Sequence, residues 1–311
     1  MCLGSGEKFV GIMFSGVDSR FRVLELDDSE MLDCDDLIEV CNSAPNSEAI
    51  YVGRNLIFVV NYKGRALAVK SFAVPWGPRR LIYGCLRATK ASRSFKNAKR
   101  LVALGLFTPK PVGYLESGGK YLLHRSFYVS EYMTSSSGRP VTLREILLDP
   151  LWPDRTNVLR DFGRYTYLLH EKGVCHKDYS PGNILVSRFP PPHEVSLSLP
   201  MQPPLTPRFD LLDLNRMTFG RMNLNQRMRN FRLLWAEDQD LKTIIQGYAE
   251  ASKESAEILF RLAEKISHQH KRSANREELW KQKLRTLFRT NKPNNNGNTS
   301  SQLNQSLDQR Q

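Results

Sequence analysis

The sequence predicts an α+β fold in two lobes, a small β-rich N-terminal lobe and a helical C-terminal one. Two observations carry this expectation. Residues 49–72 read as consecutive strands: Ile50-Tyr51-Val52, a Gly53-Arg54-Asn55 turn, Leu56 to Tyr62, a Lys63-Gly64 turn, then Ala66 to Phe72. Residues 154–172, by contrast, put Val158, Phe162, Tyr165 and Leu169 at helical spacing. Between the two patterns lies a polar stretch, residues 134–140, suited to a hinge.

The remaining elements follow in order. Residues 1–45 mix acidic and small residues, and a loosely ordered extension with one short helix near residues 35–42 is expected there. The N-terminal lobe is assigned to 46–133. It includes a helix over 87–105 that ends at Gly105, before Pro109 and Pro111, and strands at 112–116 and 121–133. The C-terminal lobe is assigned to 134–290, mainly helical from Leu224 to Phe288. Residues 189–207 hold seven prolines and read as a surface insertion within it. Residues 291–311 are rich in Asn, Ser and Gln, too polar to pack, and are expected to be disordered.

At 311 residues, 41% hydrophobic and 25% charged, the chain can build a sizeable core. Its net charge of +13 calls for an anionic partner. The five cysteines include no C-x-x-C pair, which argues against a disulfide frame or a zinc site and for a reducing compartment. No apolar run approaches the roughly 18 residues of a membrane span, and the start lacks a signal-peptide layout. A cytoplasmic location is expected, peripheral to the inner face of the cytoplasmic membrane if the basic surface meets anionic lipid.

The chemistry is concentrated in residues 169–186. His176-x-Asp178 is followed five residues later by Asn183 and then by the apolar Ile184-Leu185-Val186. Kinase catalytic loops are built this way, and the two lobes then become those of a protein-kinase-like fold. The aspartate orients the acceptor hydroxyl and takes its proton, and the asparagine holds a metal that offsets the phosphate charge. ATP and Mg2+ are the implied cofactors. Lys70 closes the strand Ala66-Leu67-Ala68-Val69-Lys70, as a V-A-I-K lysine would. Asp213 directly follows the apolar Phe209-Asp210-Leu211-Leu212 and is preferred to Asp210 as the second metal ligand. The literal Asp161-Phe162-Gly163 precedes the catalytic loop and has Phe162 on a helix stripe, so it is a decoy. The turn at Gly53, Arg54 and Asn55 is either a phosphate cradle or an ordinary hairpin turn. His176 is expected to brace the loop.

One kinase part is missing. Between Ser71 and Leu115 there are nine Lys and Arg but no Asp or Glu, so the helix after Lys70 lacks the acid that ordinarily pairs with that lysine. A pseudokinase, a nucleotide-binding scaffold without turnover, is therefore the rival to an enzyme.

Several stretches resemble the bacterial lipopolysaccharide kinases, which phosphorylate Kdo or heptose sugars of the inner core. They include Tyr51-x-Gly53-Arg54-Asn55, Val69-Lys70-Ser71-Phe72, Lys90-Ala91-x-Arg93-Ser94-Phe95 and Gly105-x-x-Thr108-Pro109-x-Pro111. Further on come Tyr128-Val129-Ser130-Glu131, Ser180-Pro181-Gly182-Asn183-Ile184-Leu185 and Asp213-Leu214-Asn215-Arg216-Met217. The resemblance implies that Asp178 is catalytic and that Asn183 and Asp213 hold the metal. Lys70 and Glu131, with the Gly53 turn, would serve the nucleotide.

Ser180 stands where Ser/Thr protein kinases have a lysine, and no Ala-Pro-Glu follows Asp213. Both features favour a sugar or small-molecule acceptor over a peptide, and a small-molecule or protein kinase of the same fold stays open. A lipopolysaccharide or Kdo-lipid A-like anionic glycolipid is the expected partner, with no nucleic acid. The basic residues 79–110, and the helix bearing Trp280, Leu284, Leu287 and Phe288, would then meet a peripheral anionic membrane surface. The alternatives are a solvated helix face for the basic run and packing against the helical lobe for the Trp280 helix.

Overall fold

The computed structural model describes residues 21–27, 32–47, 49–53, 55–73, 88–119, 122–133, 141–187 and 207–290. Arg54, the 134–140 hinge, most of the Pro-rich insertion and the 291–311 tail lie outside the described residues. So do residues 74–87, where the basic run begins, and the first twenty residues.

Six strands form the N-terminal sheet: β1 (Phe21–Leu26), β2 (Ala49–Val52), β3 (Asn55–Tyr62), β4 (Arg65–Phe72), β5 (Pro111–Gly119) and β6 (Leu122–Glu131). Their spatial order is β1-β5-β6-β4-β3-β2, and every pairing is antiparallel. The β3–β4 hairpin turns on Lys63 and Gly64, both at positive φ, where glycine carries no steric cost.

Directly paired residues share a face, so the register sorts the sheet into two surfaces. Phe72, Tyr114 and Tyr128 join a cluster with α2 (Lys90–Ala103) through Ala91, Phe95, Ala98 and Leu101. Phe58, Val60, Leu67, Val69, Phe127 and Val129 lie on the other side, against Leu37, Val40 and Cys41 of α1 (Cys34–Ser43).

The described stretches of residues 1–45 differ from the loose extension expected there. The short helix is present, with a capping box between Asp33 and Asp36, but it is not loose. Leu37, Val40 and Cys41 are fully buried, and β1 extends the sheet along β5. A helix with a few apolar residues becomes core once it has a sheet face to cover.

The C-terminal part opens with β7 (Val141–Thr142), α3 (Leu143–Leu148) and α4 (Arg155–Glu171). Next come β8 (Val174–His176), β9 (Ile184–Ser187), β10 (Arg208–Leu211) and β11 (Met217–Phe219), which form two small sheets, β10-β9-β7 and β11-β8. Then follow α5 (Leu224–Asn230), α6 (Asp238–Ser252) and α7 (Ala256–Thr290). α4 and α6 cross closely at two glycines. A Cβ on Gly163 would lie 1.9 Å from the Ile244 carbonyl oxygen, and one on Gly247 would lie 1.8 Å from that of Arg160. Asp161-Phe162-Gly163 is thus packing, as expected of a decoy: Phe162 is fully buried, and Asp161 pairs with Arg164.

The chain divides into two units, 1–267 and 268–311. Within the first, Leu259 and Ala263 at the start of α7 join the main core. In the second, Trp280 is 66% exposed. Among the described residues, no helix is long and apolar enough to cross a membrane.

Candidate active site

The catalytic-loop sequence folds into a short, heavily tied turn between β8 and β9. Tyr179 anchors it from beneath: fully buried, its ring stacks on Phe162 at 5.7 Å and its hydroxyl meets that of Thr166 at 2.9 Å. His176, also buried, fixes the top. The Asp178 N–H donates to its Nδ1 (3.1 Å), so that nitrogen carries no proton. Nε2–H then donates to the Leu212 carbonyl (2.8 Å). Burial holds the imidazole below its ordinary pKa, in keeping with this neutral form. His176 therefore joins the catalytic loop to the segment that carries Asp213, and the Leu212 N–H donates to the Asn183 carbonyl (2.8 Å) from the other side.

Asn183 turns its amide nitrogen back onto the Asp178 carbonyl (2.9 Å), which orients its amide oxygen as the end available to a cation. The Asp178 side chain remains 36% exposed, with Arg216 Nη1 3.8 Å from Oδ2. Its carboxylate is reachable by an acceptor hydroxyl and lies beside a positive charge.

Lys70 and Asp213, 143 residues apart, meet at 2.6 Å. The β10 strand stops at Leu211, and Asp213 itself is in the left-handed region at φ 51°. Burial alone would raise the Asp213 carboxyl. Lys70, with a hydrogen bond from Asn215 Nδ2, outweighs burial and holds it below the usual carboxylate range. Asp210 is placed differently: fully buried, it is held by Arg208 through two hydrogen bonds of 2.9 and 2.7 Å.

The nucleotide-side residues divide by face. Asn55 pairs with Phe72 and Ile57 with Lys70, so Asn55 shares the face of Lys70. Its Oδ1 is buried without a hydrogen-bond partner, an expensive state that a bound donor would relieve. Gly53 is exposed, and its N–H closes the turn onto the Asn55 carbonyl (3.2 Å). Glu131 pairs with Leu67, which places its side chain on the opposite face, where it meets Arg65 at 2.8 Å. Only its main chain remains to serve a nucleotide beside Lys70. The carboxylate lies on the face away from Lys70, and alternation along the strand is the cause.

Among the described residues, Lys70 meets Asp213 rather than an acid from a neighbouring helix. Ser94, where it was sought, is buried and bonds its own helix at the Lys90 carbonyl. The first acid after the gap, Glu116, is buried and accepts from Thr89, the cap of α2. Sequence reasoning assigned no role to Asn97, Asn215 or Arg216. Each lies in or touches the Asp213 segment, and none belongs to a motif that names its task.

Asp213, ionised and offering its second oxygen, and the Asn183 amide oxygen make a donor set of one carboxylate and one amide. Among the described residues no cluster of three or more His, Cys, Asp or Glu is placed to hold a metal. The pair therefore fits a hard cation that completes its shell with phosphate oxygens and water, the habit of magnesium in phosphoryl transfer.

A two-lobed fold with lysine, aspartate and asparagine so placed defines a phosphotransferase of the kinase class. The family model described as "Lipopolysaccharide kinase (Kdo/WaaP) family" matches residues 74–199, a span that contains Asp178 and Asn183 and falls between Lys70 and Asp213. The resemblance read from the sequence is thereby borne out. The solved structure "WaaP in complex with acyl carrier protein" shares the fold. Its TM-score is 0.54 at 17% identity, covering 82% of this chain and 99% of that one. No curated protein sequence matches.

Proposed function

We propose that the chain transfers the γ-phosphate of ATP to a sugar hydroxyl, of Kdo or heptose, in the inner core of lipopolysaccharide at the cytoplasmic membrane face. The observation that carries this reading is the convergence of Lys70 on Asp213, with Asp178 and Asn183 held on the adjoining loop. Asp178 orients the acceptor hydroxyl and takes its proton as the oxygen attacks. Lys70 leaves Asp213 for the nucleotide phosphates, while Asp213 and Asn183 hold magnesium. The metal, when bound, offsets the charge of the transferred group. Gly53 and Asn55, at the entry to β3, serve the nucleotide phosphates.

A sugar acceptor is supported by the short connection after Asp213. β11 ends at Phe219 and α5 begins at Leu224, leaving little platform for a peptide. A lipid-linked anionic acceptor accounts for the net charge of +13 and for the basic α2, whose Lys96 and Arg100 are exposed. The same reading places the Trp280 helix at an anionic membrane surface. The test is an acceptor comparison with purified protein, ATP and magnesium. Kdo-bearing lipid A, heptosylated core, free sugars and a generic protein substrate are offered separately, and phosphorylated product is detected by mass. Phosphorylation of the glycolipid supports the reading, and turnover confined to protein or free sugar would overturn it.

A further inference from the structure

Kinases of this fold ordinarily tie the helix after the lysine strand to that lysine through a glutamate. Helix α2 contains no acid, yet it is fastened to the site at another point. Asn97, one turn beyond the buried Ser94, donates its amide N–H to the Leu214 carbonyl at 2.7 Å, across 117 residues of sequence. Leu214 opens the tight turn that follows Asp213, and Asp213 enters that turn at φ 51°, a conformation that a non-glycine residue keeps only where its surroundings hold it. From the same turn Asn215 donates to Asp213 Oδ1. The carboxylate thus has two supports, a charged one from Lys70 and a neutral one built on the turn that α2 clasps.

The geometry points to Asn97 as a positioning residue that replaces the absent helix acid. It secures the Asp213 turn rather than the lysine, so the carboxylate keeps its place when Lys70 moves to the nucleotide. This rests on the kinase reading above and assigns α2 a part in it. A helix that clasps the turn behind the metal carboxylate by a neutral hydrogen bond leaves Lys70 with Asp213 as its resting partner. An acid on α2 would compete for that lysine. In this arrangement the missing glutamate is no lesion.

The test uses the full-length protein and calorimetric binding of a non-hydrolysable ATP analogue across a magnesium series. Asn97→Leu keeps the bulk and removes the donor, while Asn97→Gln keeps a donor on a longer arm. Asn97→Leu is expected to need about tenfold more magnesium for half-maximal binding, the scale of one lost hydrogen bond. Its magnesium-free binding should change less than about twofold, and Asn97→Gln should recover part of the loss. In turnover, kcat falls while the acceptor KM is unchanged. If Asn97→Leu does not fold, Asn97→Ala makes the same measurement. Wild-type magnesium dependence in the donor-less variant would overturn the inference. So would a parallel loss of magnesium-free binding, or a Gln variant no better than Leu. Wild-type protein that binds no nucleotide would overturn the kinase reading as well, whereas normal wild-type binding with an indifferent Asn97 overturns only this step.

Discussion

Two carboxylates three positions apart, Asp210 and Asp213, are separated by environment. Asp210 is fully buried and held by Arg208, so Asp210→Ala strands a cation and is expected to cost about 3–5 kcal/mol of stability. Asp213→Ala should instead abolish magnesium-dependent nucleotide binding with a smaller fall in melting temperature. Parallel thermal melts and nucleotide titrations of the two variants check the assignment, and an exchange of the two phenotypes would reverse it. Asp213 as a candidate was legible because an apolar strand leads to it. The supports were not: an asparagine inside a helix has indifferent propensity and no motif, so Asn97 acquires meaning only once the fold brings Leu214 to it.

Elements were most legible where their periodicity is local. The β2–β3–β4 meander and α4 lie close to where alternation and helical spacing put them. β1 was missed because neither parity of Phe-Arg-Val-Leu-Glu-Leu is wholly apolar, with Glu25 on one and Arg22 on the other. The burial of α1 was missed because it depends on a sheet face assembled from residues as distant as Val129. Leu37→Ala should therefore destabilise the protein by about 2–5 kcal/mol, a core-sized loss measurable by denaturant melts; a change within about 0.5 kcal/mol would return α1 to a loose extension. The α4–α6 crossing gives a second check. Gly163→Ala pushes a methyl against the Ile244 carbonyl and should cost about 1–3 kcal/mol or more without selectively changing magnesium dependence. A selective magnesium defect would revive Asp161-Phe162-Gly163 as a site motif.

At the scale of the molecule, two histidines buried among the described residues contribute to the acid limb of stability. His170 lies between Tyr248 and Asn230, and burial pushes its pKa down to about 3; His176 is lowered by the same cause. The unfolded chain takes up these protons below about pH 6.5 while the folded chain resists them. Stability should therefore fall as pH drops from that value toward the folded pKa values, by up to about 1.4 kcal/mol per pH unit for each histidine. His170→Phe should flatten the slope, and an unchanged pH profile of melting would contradict the assignment.

Charge acts at the same scale. If the basic surface and the Trp280 helix meet anionic lipid, the protein should sediment with anionic vesicles at low salt and release as the Debye length shortens from roughly 10 Å at 0.1 M to 3 Å at 1 M. Trp280→Ser with Phe288→Ser should weaken the residual binding without loss of the thermal transition. No sedimentation at low salt would leave the acceptor to be argued from the cleft alone.

Single-turnover transfer from γ-labelled ATP to Kdo-bearing lipid A reads the catalytic role of Asp178 itself. Wild-type protein should label the glycolipid. Asp178→Asn, binding nucleotide normally, should do so about 10²–10⁴-fold more slowly. Full-rate labelling by Asp178→Asn, or no labelling by wild-type protein that binds ATP, would contradict the account.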